Sequence, residues 1–504
     1  MCSNKLMNIR EILGHSRNFY LIIAAYAGLH FTLRLFFSPV LGTDDVEQAI
    51  CAQSLSLGCD LRQPPFYTWL QWITNQIAGT GLFSIFLLKY SLLAGTYVFL
   101  YLAGRRLFRE PLTAALAALA LWLTYPFAVS VHQGVTHSLL LSLLLAASFW
   151  LALRLGERRT TTDYLLLGIL LGFGVLSKYS FAVYATALLL AALSLPTFRR
   201  AVLDPRILLT LTIAVSITLP HFIWIEQRLD AVAEALGKIG QGNPAATEHG
   251  PRVATGLISL ASAVLQFLAP FWLVLLAFHP RAFLPLRQVA LNEPQQLAGR
   301  VLAGSIVILA VIILAGGAME IKARWMHTIA LLAPIYLFAR VEALGEAPRR
   351  GYLATLFAVP ILVITLWAGQ TYLAPKHGKP TRFHAPYDRL AERLRETGFN
   401  TGTIVAEGLH LPGNLRVFFP EARVLTPRYG HFLPPAKSAG QCLLVWETVD
   451  KTKTVPAPLT GYVLRNWGSL PNGETTYLTE PYHGTQSVKM EIGYLLLPGS
   501  VCNR

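Results

Sequence analysis

The feature that most constrains this chain is an alternation of apolar runs, most close to twenty residues long, with short polar stretches in which lysine and arginine recur. A helix of about 20 apolar residues crosses the ~30 Å of hydrocarbon in a bilayer. Such runs fall at about 18–38, 82–104, 112–131, 134–155, 164–178, 179–196, 207–225, 257–278, 301–317, 327–341 and 352–372. Only 14% of the 504 residues are charged, against roughly a quarter in a soluble domain. The pattern predicts a polytopic α-helical membrane protein of about eleven spans. The net charge of +15 does not point to nucleic acid, because the basic residues form short clusters between runs rather than one patch. No cleavable signal is expected: Lys5, Arg10 and Arg17 are basic, but the run from Phe19 is long and lacks a small-residue cleavage site.

Positive charge sets the orientation. Basic groups at 5–17, 105–109, 154–159, 199–206, 281–300 and 340–350 are assigned to the cytoplasmic side. The opposite side then receives 39–81, the tips near 132 and 178, 226–256, 318–326 and everything after Tyr372. Arg158 and Arg159 precede the run 164–195, and Arg199 and Arg200 follow it, so it crosses an even number of times, with Lys178 at its far tip. The stretch 112–155 folds back in the same way, with His132-Gln133-Gly134 at the tip. Asp44, Asp45, Glu47, Arg62, His132, His137, Lys178, Glu320, Lys322, Arg324 and His327 thus share one face. Ionisable residues near membrane depth are costly and mark a pathway or a site. A transporter would hold them near the midplane in two matching halves. Their position at the extracytoplasmic rim, with no internal repeat, favours chemistry at an interface.

After Pro375 the composition changes. "YDRLAERLRETGF" has helical apolar spacing. "TGTIVAEG", "GNLRVFF", "ARVLTP", "QCLLVWE" and "SVKMEIGYLLLP" are expected to be strands bounded by Gly and Pro. Residues 1–375 are therefore read as a transmembrane domain with a first outer loop at 39–81, and 376–504 as a small extracytoplasmic α/β domain without a Gly-rich phosphate loop. Cys51 and Cys59 share the loop, and Cys442 and Cys502 share the outer domain. An oxidising compartment permits one disulfide in each, the alternative being free buried thiols.

Several motifs then carry a resemblance. Asp44-Asp45 with Glu47 is followed by Gln63-Pro64-Pro65 and Trp69. Gly168, Gly172, Leu176, Ser177, Lys178 and Tyr179 form a "GxxxGxxxLSKY" element, and Pro220-His221 with Trp224 a "PHxxW" element. In this order they resemble the GT-C-type membrane glycosyltransferases that use polyprenyl-phosphate sugars, a group including protein mannosyltransferases and the aminoarabinose transferase of lipid A. The combination "DDVEQA…RQPPFYTWLQW" is most similar to bacterial lipopolysaccharide galacturonosyltransferases. The resemblance spans about residues 20–340. It implies many spans, two helices lying along the membrane in the first loop, and an extracytoplasmic domain.

It also implies roles. Asp44 or Asp45 would be the base that accepts the acceptor's proton, with Glu47 beside them; a partly dry pocket suits such a carboxylate. Helix capping by Thr43 or Asp44 is the structural alternative. Lys178, followed by Tyr179, would stabilise the departing lipid phosphate, though a lone lysine there can also snorkel to the interface. Arg62, Lys322 and Arg324 are further cations for the phosphate or for a uronic acid carboxylate. Gln63, aimed by two prolines, is a possible sugar contact. His137, a candidate substrate contact or otherwise the cap of the fourth span, stands where relatives tend to carry an acidic residue, so no metal or acid role is copied from them. No zinc pattern is present, so no metal ligands are assigned and a divalent cation stays possible. The expected partners are a polyprenyl-phosphate sugar donor, a lipopolysaccharide core or lipid A acceptor, and membrane lipid, in a bacterial inner membrane with the site and C-terminal domain periplasmic. Transfer to a protein or another glycan, or transport of the lipid-linked sugar, are the competing readings.

Overall fold

The structure, a computed structural model, describes residues 12–229, 249–285, 288–316, 320–436, 440–448, 454–468 and 474–502. Lys5, Arg10, positions 230–248 of the segment 226–256, and positions 318–319 of the segment 318–326 lie outside these residues.

Every one of the eleven apolar runs is helical, but not every run is one helix. Among the described residues six helices are long and apolar enough to cross a membrane: Ser16–Phe37, Leu82–Leu107, His137–Glu157, Ile207–Glu226, Glu293–Gly316 and Arg350–Lys376. Phe181–Leu193 and Pro196–Val202, bent by 117°, make a seventh if taken together. Thr161–Ser177 is shorter. Three runs break. The run 112–131 begins as Pro111–Leu119, tightens into a 3₁₀ turn at Ala120–Leu123, becomes extended at Thr124 and re-forms at Pro126. The run 257–278 breaks between Leu268 and Phe271 at Pro270, which has no N–H to continue a helix. The two breaks face each other: Tyr125 N–H donates to Ala269 O at 2.9 Å. Backbone groups freed from one helix are thereby satisfied by the other, as a dry interior requires. The run 327–341 divides into His327–Ala330 and Ala333–Ala343 ahead of Pro334.

Close packing follows small residues. A Cβ added at Gly168 would lie 2.7 Å from Thr210 O, and one at Gly172 2.9 Å from Ile217 Cβ. Thr161–Ser177 and Ile207–Glu226 therefore touch along their backbones. The opposite side of Ile207–Glu226 leaves Leu208, Leu211, Val215 and Leu219 exposed, as a lipid-facing stripe would be.

The C-terminal domain is a five-stranded sheet, in the order β2-β1-β3-β5-β4. Its strands are β1 (Gly402–Ala406), β2 (Arg423–Leu425), β3 (Gln441–Glu447), β4 (Thr476–Pro481) and β5 (Lys489–Leu497). β1 runs parallel to β2 and β3, and β5 antiparallel to β3 and β4. Alternate residues face opposite ways. Ile404, Leu443 and Val445 pack under the helices Tyr387–Glu396 and His410–Phe418, whereas Val405, Leu444 and Trp446 pack under Ala457–Trp467. "GNLRVFF", expected to be a strand, is the second half of the helix His410–Phe418. Its Leu411 and Leu415 lie one turn apart and are buried. The buried Arg416 guanidinium donates to Phe419 O, Pro420 O and Ala422 O, satisfying carbonyls past the helix end. Of the two alternatives left open for the cysteines, the disulfides Cys51–Cys59 and Cys442–Cys502 are formed.

Candidate active site

The first loop contains two helices, Thr43–Cys51 and Phe66–Ala78. Two glycines fix the start of the first. A Cβ on Gly42 would fall 2.0 Å from Gln133 O, and Gly134 adopts φ +126°, with its notional Cβ 2.8 Å from Thr43 N. The loop helix therefore lies on the 132–134 turn, beside the N-terminus of His137–Glu157. Gly42 is the N-cap, so neither Thr43 nor Asp44 is; Asp44 and Asp45 sit in the first turn, where the helix dipole favours negative charge.

Helical spacing divides the acidic trio. Asp44 and Glu47, three residues apart, share a face, while Asp45 points about 100° away. Asp45 is completely buried and forms an ion pair with Lys89, also completely buried, at 2.5 Å. Asp45 cannot meet a substrate without breaking that pair. Asp44 and Glu47 are only partly buried. Burial, then the charges of Glu47 and Asp45, push the Asp44 carboxyl from its ordinary 3.8 up to about 6, with Lys178 and His137 pulling the other way.

His137 is the next member. Its Nδ1 lies 3.2 Å from Ser177 O, which only accepts, so Nδ1 carries the proton and Nε2 accepts from Gln48 Nε2 at 3.0 Å. Thr68 Oγ1 donates to Gln48 Oε1 at 2.8 Å. Glu47 Oε1 is 3.7 Å from His137 Nε2, and Glu47 Oε2 accepts from the Tyr429 hydroxyl at 3.1 Å.

Lys178 arrives from the other side. Thr161–Ser177 ends there because Lys178 is extended (φ −166°, ψ 134°), and the next helix starts at Phe181. Its ammonium donates to Ser138 Oγ at 2.7 Å, and the charges that reach it are Asp44, Arg324 and Glu47. Arg324 is exposed. Lys322 faces the exposed Glu320 at 3.4 Å. So Asp44, Glu47, His137, Lys178 and Arg324 converge, while Lys322 is engaged with its neighbour.

Three more expected residues are committed elsewhere or differently. Arg62 folds onto Asp60, donating from Nε at 2.9 Å and from Nη2 at 2.5 Å. Burial opposes ionisation of Asp60, but the Arg62 fork outweighs it and holds the carboxyl below its usual range. Arg62 therefore does not present an open fork to phosphate. Tyr179 donates to His221 Nε2 at 2.9 Å, and His221 Nδ1 donates to Leu57 O at 2.7 Å, which ties the loop to the end of Ile207–Glu226. Gln63 Oε1 is buried with no hydrogen-bond partner among the described residues. Among those residues no group of three or more His, Cys, Asp or Glu is placed to hold a metal ion.

Gln48, Ser138 and Tyr429 were not expected. Gln48 is one turn beyond Asp44 and could have been placed on its face; Ser138 follows His137. Nothing in the sequence signals Tyr429. Taken together, the arrangement offers a carboxylate poised to accept a proton, and a fixed ammonium for an anion forming opposite it.

Comparison with known proteins follows the same outline. Residues 62–224 match the family described as "Dolichyl-phosphate-mannose-protein mannosyltransferase". The chain is 30% identical to "Lipopolysaccharide core galacturonosyltransferase RgtB" of Rhizobium johnstonii, over 94% of this chain and 96% of that one. It is also 30% identical to RgtA of the same organism, over 84% of this chain and 86% of that one. In fold it is similar to ArnT from Cupriavidus metallidurans. The apo crystal structure gives a TM-score of 0.59 at 14% identity, covering 96% of this chain and 99% of ArnT. The form bound to undecaprenyl phosphate gives 0.57 at 13% identity, covering 95% and 98%.

Proposed function

The chain belongs to the membrane glycosyltransferase family that contains RgtA and RgtB, and from that premise we propose that it transfers galacturonic acid from a polyprenyl phosphate to the core or lipid A of lipopolysaccharide. The reaction takes place at the periplasmic face of a bacterial inner membrane. The observation that carries this reading is the meeting of Asp44 and Lys178 at one site, each within the other's electrostatic reach.

The chemistry follows from their positions. Asp44 accepts the proton of the acceptor hydroxyl as its oxygen attacks the anomeric carbon. The bond from that carbon to the phosphate oxygen breaks, and its electron pair leaves with the lipid phosphate. Lys178, with Arg324 behind it, stabilises the charge that develops there. One displacement without a covalent enzyme intermediate inverts the anomeric centre. Asp45 and Lys89 hold the turn that carries Asp44, and neither touches substrate.

The test is reconstitution of the purified protein with polyprenyl-phosphate galacturonate and a lipopolysaccharide lacking this sugar. A gain of one anhydrous galacturonosyl unit in the acceptor's mass, with release of the polyprenyl phosphate, is expected. Movement of the donor across the bilayer without its consumption would overturn the reading in favour of transport.

A further inference from the structure

The C-terminal domain grips the same short helix that carries the acidic residues. Leu41 N–H donates to the buried Asn414 Oδ1 at 2.8 Å. Gln53 exchanges two hydrogen bonds with Val424, donating to its O and accepting from its N, both at 2.8 Å. Between them Gly413 lies bare against Val46, where a Cβ would be 2.4 Å from Val46 Cβ. Both ends and the middle of Thr43–Cys51 are thus registered on the sheet domain by groups that tolerate little displacement.

At the end of that contact lies Tyr429. Its ring is buried, packed with Ile50, Phe432 and the bonded Cys51 and Cys59. Its hydroxyl donates to Glu47 Oε2 at 3.1 Å. The other Glu47 oxygen is near Gln48 Nε2 at 3.4 Å and His137 Nε2 at 3.7 Å. A glutamate on a helix surface ordinarily samples several rotamers. Here a ring clamped by a disulfide selects one, and that one lies along the face shared with Asp44.

We infer that Tyr429, supplied by the C-terminal domain, is a positioning residue for glycosyl transfer: its hydroxyl holds the Glu47 carboxylate in one rotamer, on the helix face it shares with Asp44. The inference rests on the transfer reaction proposed above and makes the C-terminal domain a part of the active site.

A double-mutant cycle on the full chain tests it. Tyr429→Phe keeps the ring on the disulfide and removes only the hydroxyl. It is expected to lower kcat by about ten-fold, leave KM for the lipid donor unchanged and leave the melting temperature unchanged. In a Glu47→Gln background the same change is expected to cost no further kcat. Equal losses in both backgrounds, or full kcat in Tyr429→Phe, would overturn the inference. A second measurement needs no sugar: carbodiimide labelling of Glu47, read by peptide mass, is expected to speed up in Tyr429→Phe. Unchanged labelling overturns the contact. An inert wild-type enzyme with faster labelling overturns the proposed donor and supports the positioning role.

Discussion

The acidic limb of the pH dependence of transfer is the sharpest consequence of the site, because one group should dominate it. Asp44 titrates near 6 instead of 3.8, with burial as the first cause and Glu47 the second. A displacement of about two units corresponds to roughly 3 kcal/mol against the carboxylate form. The base works only when deprotonated. About nine in ten molecules are competent at pH 7 and about one in ten at pH 5. The assay is kcat/KM from pH 4 to 8, with an acceptor free of phosphate monoesters so that their second ionisation near ~6 stays out of the window. The expected profile falls towards ten-fold per unit below 6, and bends down again towards pH 8, where the Lys178 ammonium, lowered to about 8 by burial, loses its proton. Glu47→Gln removes one negative charge and leaves burial in place, so the acidic limb should move to lower pH. Asp44→Asn should cost about 10²–10⁴-fold and abolish the limb. A wild-type limb near 4, a limb that moves upward in Glu47→Gln, or an active Asp44→Asn enzyme would refute the assignment.

The other predictions address the charges around Asp44. Lys89→Met strands a buried carboxylate and should destabilise the protein by about 3–5 kcal/mol, whereas Lys89→Met with Asp45→Asn should recover much of that loss; denaturant titration in detergent measures both. Lys178→Met should lower kcat by about 10²–10³-fold, with Lys178→Arg recovering part of it, while Ser138→Ala should cost far less because it only steadies the ammonium. Transfer should persist in the presence of a chelator, since Lys178 and Arg324 already offer positive charge to the departing phosphate; activity that disappears with EDTA and returns with magnesium would assign a divalent cation to Asp44 and Glu47.

Much of the fold was legible because lipid imposes a simple rule on sequence. Each apolar run became helix, and the change of composition after Pro375 marks where the sheet domain takes over. What periodicity could not show is where a run stops being one helix. Thr124 and Pro270 break two separate runs, and the breaks are tolerable only because they meet. That condition links residues far apart in the chain. "GNLRVFF" failed for a simpler reason: over so few residues alternation and helical spacing overlap.

The site was legible to the extent that its members are local. Asp44 and Glu47 follow from one helical turn, and Lys178 from the interruption of one apolar run. Charge alone, however, did not separate the carboxylate that faces Lys178, the proposed base, from the one paired with Lys89. Asp44 and Asp45 are identical in type and adjacent, and only the 100° step between them sends one to the rim and the other to Lys89. The partner of Arg62 was likewise not read from charge alone: two residues back, Asp60 matches its fork and takes it. The hardest member was Tyr429, 382 residues from the Glu47 it touches. A tyrosine in a loop of a separate domain carries no local mark of function. Its contact with Glu47 exists only because a disulfide, a bare glycine and a pair of amide hydrogen bonds press that domain onto nine residues of helix. The acidic side of the site therefore comes from the first loop, but the helix that carries it is registered from the other end of the chain.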